Sequence, residues 1–185
     1  MMFVIRLIIF VIGTLIITWV SRSSLKDVRS HGFYRFFAWE LILILFVLNV
    51  RYWIINPFSI TQIIAWSLLI ISLVLILLGV RSFQRSGQID PERDDPTLVG
   101  IEKTTTLVTS GVYRYIRHPF YGSLLFLTWG IFFKNMSWIG VILLISITIL
   151  LIITARKEEA ENITFFGGEY QEYMKRTKMF IPFVL

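Results

Sequence analysis

Two short polar clusters in this chain carry the side chains that bind ions and move protons. The first, Leu107–Gly122, sets Tyr113, Arg114, Arg117, His118 and Tyr121 against the start of an apolar run. The second is Arg156–Lys157–Glu158–Glu159, at the end of the next apolar run. An imidazole, guanidinium groups and paired carboxylates suit the capture of a charged ligand and general acid–base work. In a chain with 56% hydrophobic residues, such groups at a membrane boundary are costly and mark a site.

Each cluster also has a purely structural reading. Pro119 is comfortable as the first residue of a helix, with Arg117 and His118 snorkelling and Tyr113, Tyr115 and Tyr121 forming an aromatic belt. On the functional reading, the same helix start is a donor-rich, partly positive end that attracts a carboxylate, and Tyr121 shares a face with His118. Glu158 and Glu159 are either a solvated helix end, with i,i+3 pairs such as Arg156–Glu159, or carboxylates awaiting a cationic partner. Helical spacing puts Glu159 above Ile163 and Phe166, which makes it the more buried of the two.

The elements that must position these clusters are apolar runs. Five can be drawn: Met2–Val20, Phe36–Ile55, Ile60–Val80, Pro119–Phe133 and Ser137–Thr154. The first three have about 20 residues each, enough to cross a bilayer core of about 30 Å, whereas the fourth reaches only about 22 Å. Lys134–Asn135–Met136 leaves room only for a tight turn, so the last two runs form an antiparallel hairpin. The expected fold is an all-α integral membrane protein with about five spans and a cytoplasmic amphipathic tail. Residues 1–80 hold three spans, 81–118 a loop with a ligand-binding segment, 119–154 the hairpin, and 155–185 a tail that completes the site. The first run lacks a small-x-small cleavage pattern after Trp19–Val20 and reads as a retained anchor.

Charge distribution orients the chain. Fifteen of the 18 Lys and Arg residues fall in segments 21–35 and 81–118 and in the tail after Thr154, which share one side of a five-span arrangement. The positive-inside rule then puts the N-terminus outside and both polar clusters in the cytoplasm. The net charge of +6 is explained by topology, and nucleic acid is not an expected partner. Without cysteine, thiolate chemistry is excluded, and two isolated His give no expectation of a metal.

The stretch from Arg81 to Gly111, rich in Pro, Gly and Asp, reads as a cover over the site. Gly167–Gly168 should break the tail helix, with a second helix from Glu169 to about Thr177. Its stripe of Ile163, Phe166, Tyr170, Tyr173 and Thr177 suits packing under the site or lying on the membrane. Glu40 is read as one turn inside the cytoplasmic boundary and paired with Arg35, and Arg51 as snorkelling. No dinucleotide, Walker or nucleophile-elbow pattern is present.

The run Leu107 to Tyr113, then Arg117-His118-Pro119-Phe120-Tyr121, Glu158-Glu159, Phe166 to Tyr173 and Ile181-Pro182 resembles the isoprenylcysteine carboxyl methyltransferase family, and more broadly integral-membrane methyltransferases that include phospholipid methyltransferases. The resemblance covers about residues 100–185. It implies methyl transfer from S-adenosylmethionine to a lipophilic or lipid-modified acceptor. Matching cofactor positions are Thr105, Thr106, Leu107, Val108, Tyr113, His118, Pro119, Phe120, Tyr121 and Glu158. A carboxylate acceptor would need only a positioning cation such as Arg156; a phenol or amine would need a base, His118 or Glu159. Arg176 would close the tail over the site. Two positions depart from the family pattern: Thr154 stands where the prenylcysteine enzymes carry an Arg, and Asn162 where the family has Leu. An NADPH-dependent, sterol-reductase-like enzyme is the competing reading, opposed by the Glu158–Glu159 pair and the compact size. A non-enzymatic scaffold or transporter is opposed by the scarcity of intramembrane charge.

Overall fold

A computed structural model of the protein describes residues 2–86 and 105–182. Among the described residues six α-helices follow one another: α1 (Met2–Ser21), α2 (His31–Asn49), α3 (Ile60–Ser86), α4 (Pro119–Lys134), α5 (Trp138–Phe166) and α6 (Gly168–Arg176). Among the described residues the sole β pairing is an isolated parallel bridge between Ile116 and Lys178. The chain is an all-α integral membrane protein, and four helices, α1, α2, α3 and α5, are long and apolar enough to cross a bilayer. The short α4, with 16 residues, rises only about 24 Å. Of the stretch from Arg81 to Gly111 expected to cover the site, residues 81–86 extend α3, and residues 87–104 lie outside the described residues.

Local chemistry sets the helix limits. Ser30 caps α2 by accepting from Phe33 N at 3.3 Å, and Ser137 caps α5 by accepting from Gly140 N at 3.1 Å. Pro119 opens α4 at the first helical turn, where no donor is needed. Gly167, at φ +60°, ends α5, and α6 starts directly beyond it.

Helix packing differs from the expected hairpin in one respect. The arms α4 and α5 do run antiparallel through a short turn, yet α4 packs mainly on α3 and α5 mainly on α2. The core joins Ala38, Ile42 and Leu45 of α2 to Ile131, Leu144, Ile147 and Leu151. By contrast α1 buries little and leaves most of its apolar side chains on the surface that lipid would cover.

Several boundary expectations are corrected. Helix α2 starts at His31, not Phe36, so Arg35 is a buried helical residue and Glu40 lies about 13 Å along the helix, not one turn inside. Glu40 accepts a hydrogen bond from Thr14 Oγ1 of α1 at 2.9 Å. Lys134, expected in the tight turn, is the last residue of α4 and is 4% exposed. Its Nζ donates to Gln62 Oε1 at 2.9 Å and sits 3.6 Å from the Trp66 ring centroid, so an amide and an aromatic face replace water around the charge.

Candidate active site

The polar clusters meet at the end of the bundle opposite Lys134. The loop before α4 is fixed first. Gly111 has φ +62°, and a Cβ there would stand 2.3 Å from Ser82 Oγ, so only glycine lets the loop lie against α3. Val112 N donates to that Oγ at 3.4 Å, and Phe83 packs edge-on against Tyr113 and stacks on Phe120.

The chain after α6 then runs beside residues 115–118. Arg117 N donates to Lys178 O at 2.8 Å, His118 N to Met179 O at 3.1 Å, and Lys178 N to Tyr115 O at 3.0 Å. Tyr173 adds its hydroxyl to Tyr113 O at 2.6 Å. The Arg117 guanidinium locks this assembly. Nε donates to Glu159 Oε1 at 2.7 Å, while Nη1 reaches the carbonyls of Met174 and Thr177 at the C-terminal end of α6. A cation suits that helix end, whose carbonyls lack intrahelical donors.

These elements enclose a cleft of about 640 Å³, counted with its open side. Four portions of the chain supply its walls. Leu107, Val108, Tyr113, Arg117, His118, Phe120 and Tyr121 come from the loop and α4; Glu158, Asn162 and Phe166 come from α5; Tyr170 and Tyr173 come from α6, with Phe83 from α3. Nine of the thirteen lining residues are aromatic or aliphatic, and Arg117, His118, Glu158 and Asn162 add polar surface. Among the described residues, the formal negative charge in the lining belongs to Glu158.

Glu158 is held from several sides. Its Oε2 accepts the Tyr121 hydroxyl at 2.5 Å, and its Oε1 lies 3.7 Å from His118 Nδ1. The imidazole, 3% exposed, is stacked on the Tyr121 ring at 5.5 Å. Its Nε2 lies 3.4 Å from Glu159 Oε1 yet forms no aligned hydrogen bond. On the tail side, burial and the Glu158 carboxylate push the Tyr170 phenol above its ordinary range, and burial does the same to Tyr173. Both phenols therefore remain neutral donors at physiological pH.

Of the residues singled out in the sequence, Leu107, Val108, Tyr113, His118, Phe120, Tyr121 and Glu158 line the cleft. Thr105, Thr106 and Pro119 do not; Pro119 is buried as the helix start beneath it. Arg156 is exposed and outside the lining, and Glu159 is turned to Arg117, not Arg156. Arg176 is likewise exposed, and closing the tail falls to Arg117. Behind the site, Glu161 takes both the backbone N–H of His31 at 2.9 Å and its Nδ1 at 2.5 Å, which pins the start of α2 to α5. Nothing in local spacing announced that pair, since its partners are 130 residues apart. Among the described residues no group of three His, Cys, Asp or Glu could hold a metal ion.

The donor set fits a cationic ligand with a flat aromatic part. A carboxylate backed by a phenol and an imidazole neutralises a sulfonium or ammonium group, and aromatic faces attract both cations and planar bases.

Comparison with known proteins agrees with this chemistry. A family model described as phospholipid methyltransferase matches residues 60–167. Over 84 residues the chain is 38% identical to a Homo sapiens protein and 37% identical to a Mus musculus protein, each named protein-S-isoprenylcysteine O-methyltransferase; the match covers 44% of this chain and 29% of theirs. A Schizosaccharomyces pombe protein of the same name is 33% identical over 86 residues, 44% of this chain and 35% of its own. The matched stretch thus spans about a third of the length of these relatives. No solved structure matches the chain. With more than half of its length matched, the chain belongs to the phospholipid methyltransferase family, and its likeness to the isoprenylcysteine O-methyltransferases meets the expectation drawn from its motifs.

Proposed function

We propose that the protein is a membrane-embedded methyltransferase that uses S-adenosylmethionine to methylate a lipophilic acceptor at its cytoplasmic face. The observation that carries this reading is the Glu158 carboxylate, fixed by Tyr121 and His118 in a cleft rich in aromatic side chains. Such a site favours a small cation with a planar base over a phosphate-rich dinucleotide, which would meet a carboxylate at close range. The names of the relatives point to a prenylated cysteine carboxylate, and the name of the family to a phospholipid; both are apolar molecules with a polar end.

Glu158 would bind the positive end of the methyl donor, and Tyr121 would hold the carboxylate in one orientation. Leu107, Val108, Phe120 and Phe166 would exclude water, so that alignment does most of the work; proximity alone accounts for roughly 7–11 kcal/mol in well-oriented reactions. When bound, the cofactor supplies an electrophilic methyl group, which passes to an acceptor oxygen or nitrogen while the carbon–sulfur bonding pair stays on sulfur. A carboxylate acceptor would lose no proton, and an amine or hydroxyl would hand its proton to His118, whose Nε2 is the lining base without an aligned hydrogen bond. Glu159 would act through Arg117 and His118 as a positioning residue. Arg156, exposed outside the cleft, would at most steer an acidic acceptor at the surface.

The test is transfer of tritiated methyl from S-adenosylmethionine by protein in lipid nanodiscs, with an S-prenylated N-acylcysteine or phospholipid vesicles as acceptor. The proposal expects label in one of the two and a large loss with Glu158→Gln. Base-labile counts report an ester, and base-stable counts an N-methyl group. Absence of transfer to either, with NADPH bound instead, would sink it.

A further inference from the structure

We infer that Asn162 reads the base of the methyl donor's nucleoside; this rests on the reading of the cleft as an S-adenosylmethionine site. Helix α5 turns one stripe towards the cleft, Glu158, Asn162 and Phe166, spaced four residues apart. Each step along that stripe is about 6 Å. Asn162 therefore stands one turn beyond the carboxylate that meets the positive charge, and Phe166 one turn further towards the tail.

Three other polar side chains of the lining are already engaged. Tyr121 donates to Glu158, Tyr173 to Tyr113 O, and Arg117 to Glu159 and the end of α6. Asn162 carries the one carboxamide of the lining, and its neighbour is the Tyr170 hydroxyl. A carboxamide has two lone pairs on its oxygen and two N–H donors on its nitrogen, so a hydrogen bond with the Tyr170 hydroxyl still leaves an acceptor site and a donor for a ligand.

A leucine at this position would pack as well against the Phe166 and Tyr170 rings, whose centroids lie 6.4 Å apart. A polar group in such surroundings is costly unless a partner meets it. Adenine offers the matching edge: its 6-amino group donates beside a ring nitrogen that accepts, the pattern that Asn and Gln carboxamides recognise. The rings of Phe166 and Tyr170 supply faces on which a base stacks.

The experiment is equilibrium binding of S-adenosylhomocysteine and of its inosine counterpart, in which a 6-oxo group replaces the 6-amino group and reverses the donor and acceptor. It uses the whole protein in nanodiscs, as wild type, Asn162→Leu and Tyr170→Phe. Wild type should prefer the adenosine ligand by about tenfold or more. Asn162→Leu should weaken that ligand by about tenfold and erase most of the preference, while Tyr170→Phe, which keeps the carboxamide, should retain most of the affinity for the adenosine ligand. Three results overturn the inference: equal binding of the two ligands by wild type, an unchanged preference in Asn162→Leu, or a loss of adenosine-ligand affinity in Tyr170→Phe as large as in Asn162→Leu, which would reduce Asn162 to a support for Tyr170. Failure of wild type to bind either ligand would instead remove the methyl-donor reading, and this inference with it.

Discussion

Removing the Arg117 guanidinium should loosen one wall of the cleft while leaving the membrane bundle intact. The side chains of Arg117 and Glu159 are 10% and 9% exposed, and Arg117 also holds the Met174 and Thr177 carbonyls. Breaking a buried pair from one side costs about 3–5 kcal/mol, because the other charge is stranded. Glu159 keeps His118 Nε2 at 3.4 Å, so Arg117→Ala belongs at the lower end, about 3 kcal/mol. At 1.4 kcal/mol per factor of ten, the undocked tail becomes about a hundredfold more populated. Hydrogen exchange over residues 170–178 should accelerate accordingly, and protease should cut near Gly167–Gly168, while exchange in α2 and α5 stays slow. Arg117→Lys should fall between, since an ammonium keeps the charge but not the fork that serves Glu159 and two carbonyls together. Unchanged exchange of the tail in Arg117→Ala would refute the idea that this residue latches it, leaving the backbone bridge at Ile116 and Lys178 as the real fastening.

Three further outcomes follow from the same geometry. Glu161→Gln exchanges two charge-assisted hydrogen bonds to His31 for neutral ones and should cost about 1–2 kcal/mol of stability, read as a lower unfolding midpoint; no change would mean that the pair is not formed. Gly111→Ala should cost about 1–2 kcal/mol through its left-handed backbone and should detach the loop from Ser82, lowering donor affinity; wild-type affinity would show that the loop does not shape the cleft. The raised phenols of Tyr170 and Tyr173 fix a sign for alkaline pH. Above roughly pH 10 an unfolded or undocked tail releases protons that the docked tail retains, so docking weakens as pH rises and is unaffected below. Ultraviolet titration should show two tyrosines missing from the phenolate rise near pH 10, and their recovery in Arg117→Ala.

Much of the architecture was legible because bilayer physics writes it into long apolar runs. Gly167–Gly168 ends α5, and Ser137 and Pro119 open their helices where local chemistry says they must. What stayed hidden depends on which faces of distant helices meet. Arg35 looked like a loop charge because it precedes an apolar run, yet α2 begins one turn earlier and buries it. His31 and Glu161 carry no mark of each other, and Lys134 resembles any turn lysine until Gln62 and Trp66 surround it. The two neighbouring carboxylates show both sides of the matter. Periodicity singled out Glu159 as the buried one, and it is, beneath Arg117; the family pattern singled out Glu158, and that carboxylate lines the cleft. Burial and ligand contact are separate properties, and spacing along one helix reports only the first.

The most direct measurement is calorimetric binding of S-adenosylmethionine to the protein in nanodiscs, with Glu158→Gln and Tyr121→Phe alongside. Loss of a charged hydrogen bond is worth about 1.5–3 kcal/mol, so Glu158→Gln should weaken binding by about ten- to a hundredfold and Tyr121→Phe by less. Equal affinity in wild type and Glu158→Gln would contradict the account, because the carboxylate at the cleft edge would then hold nothing.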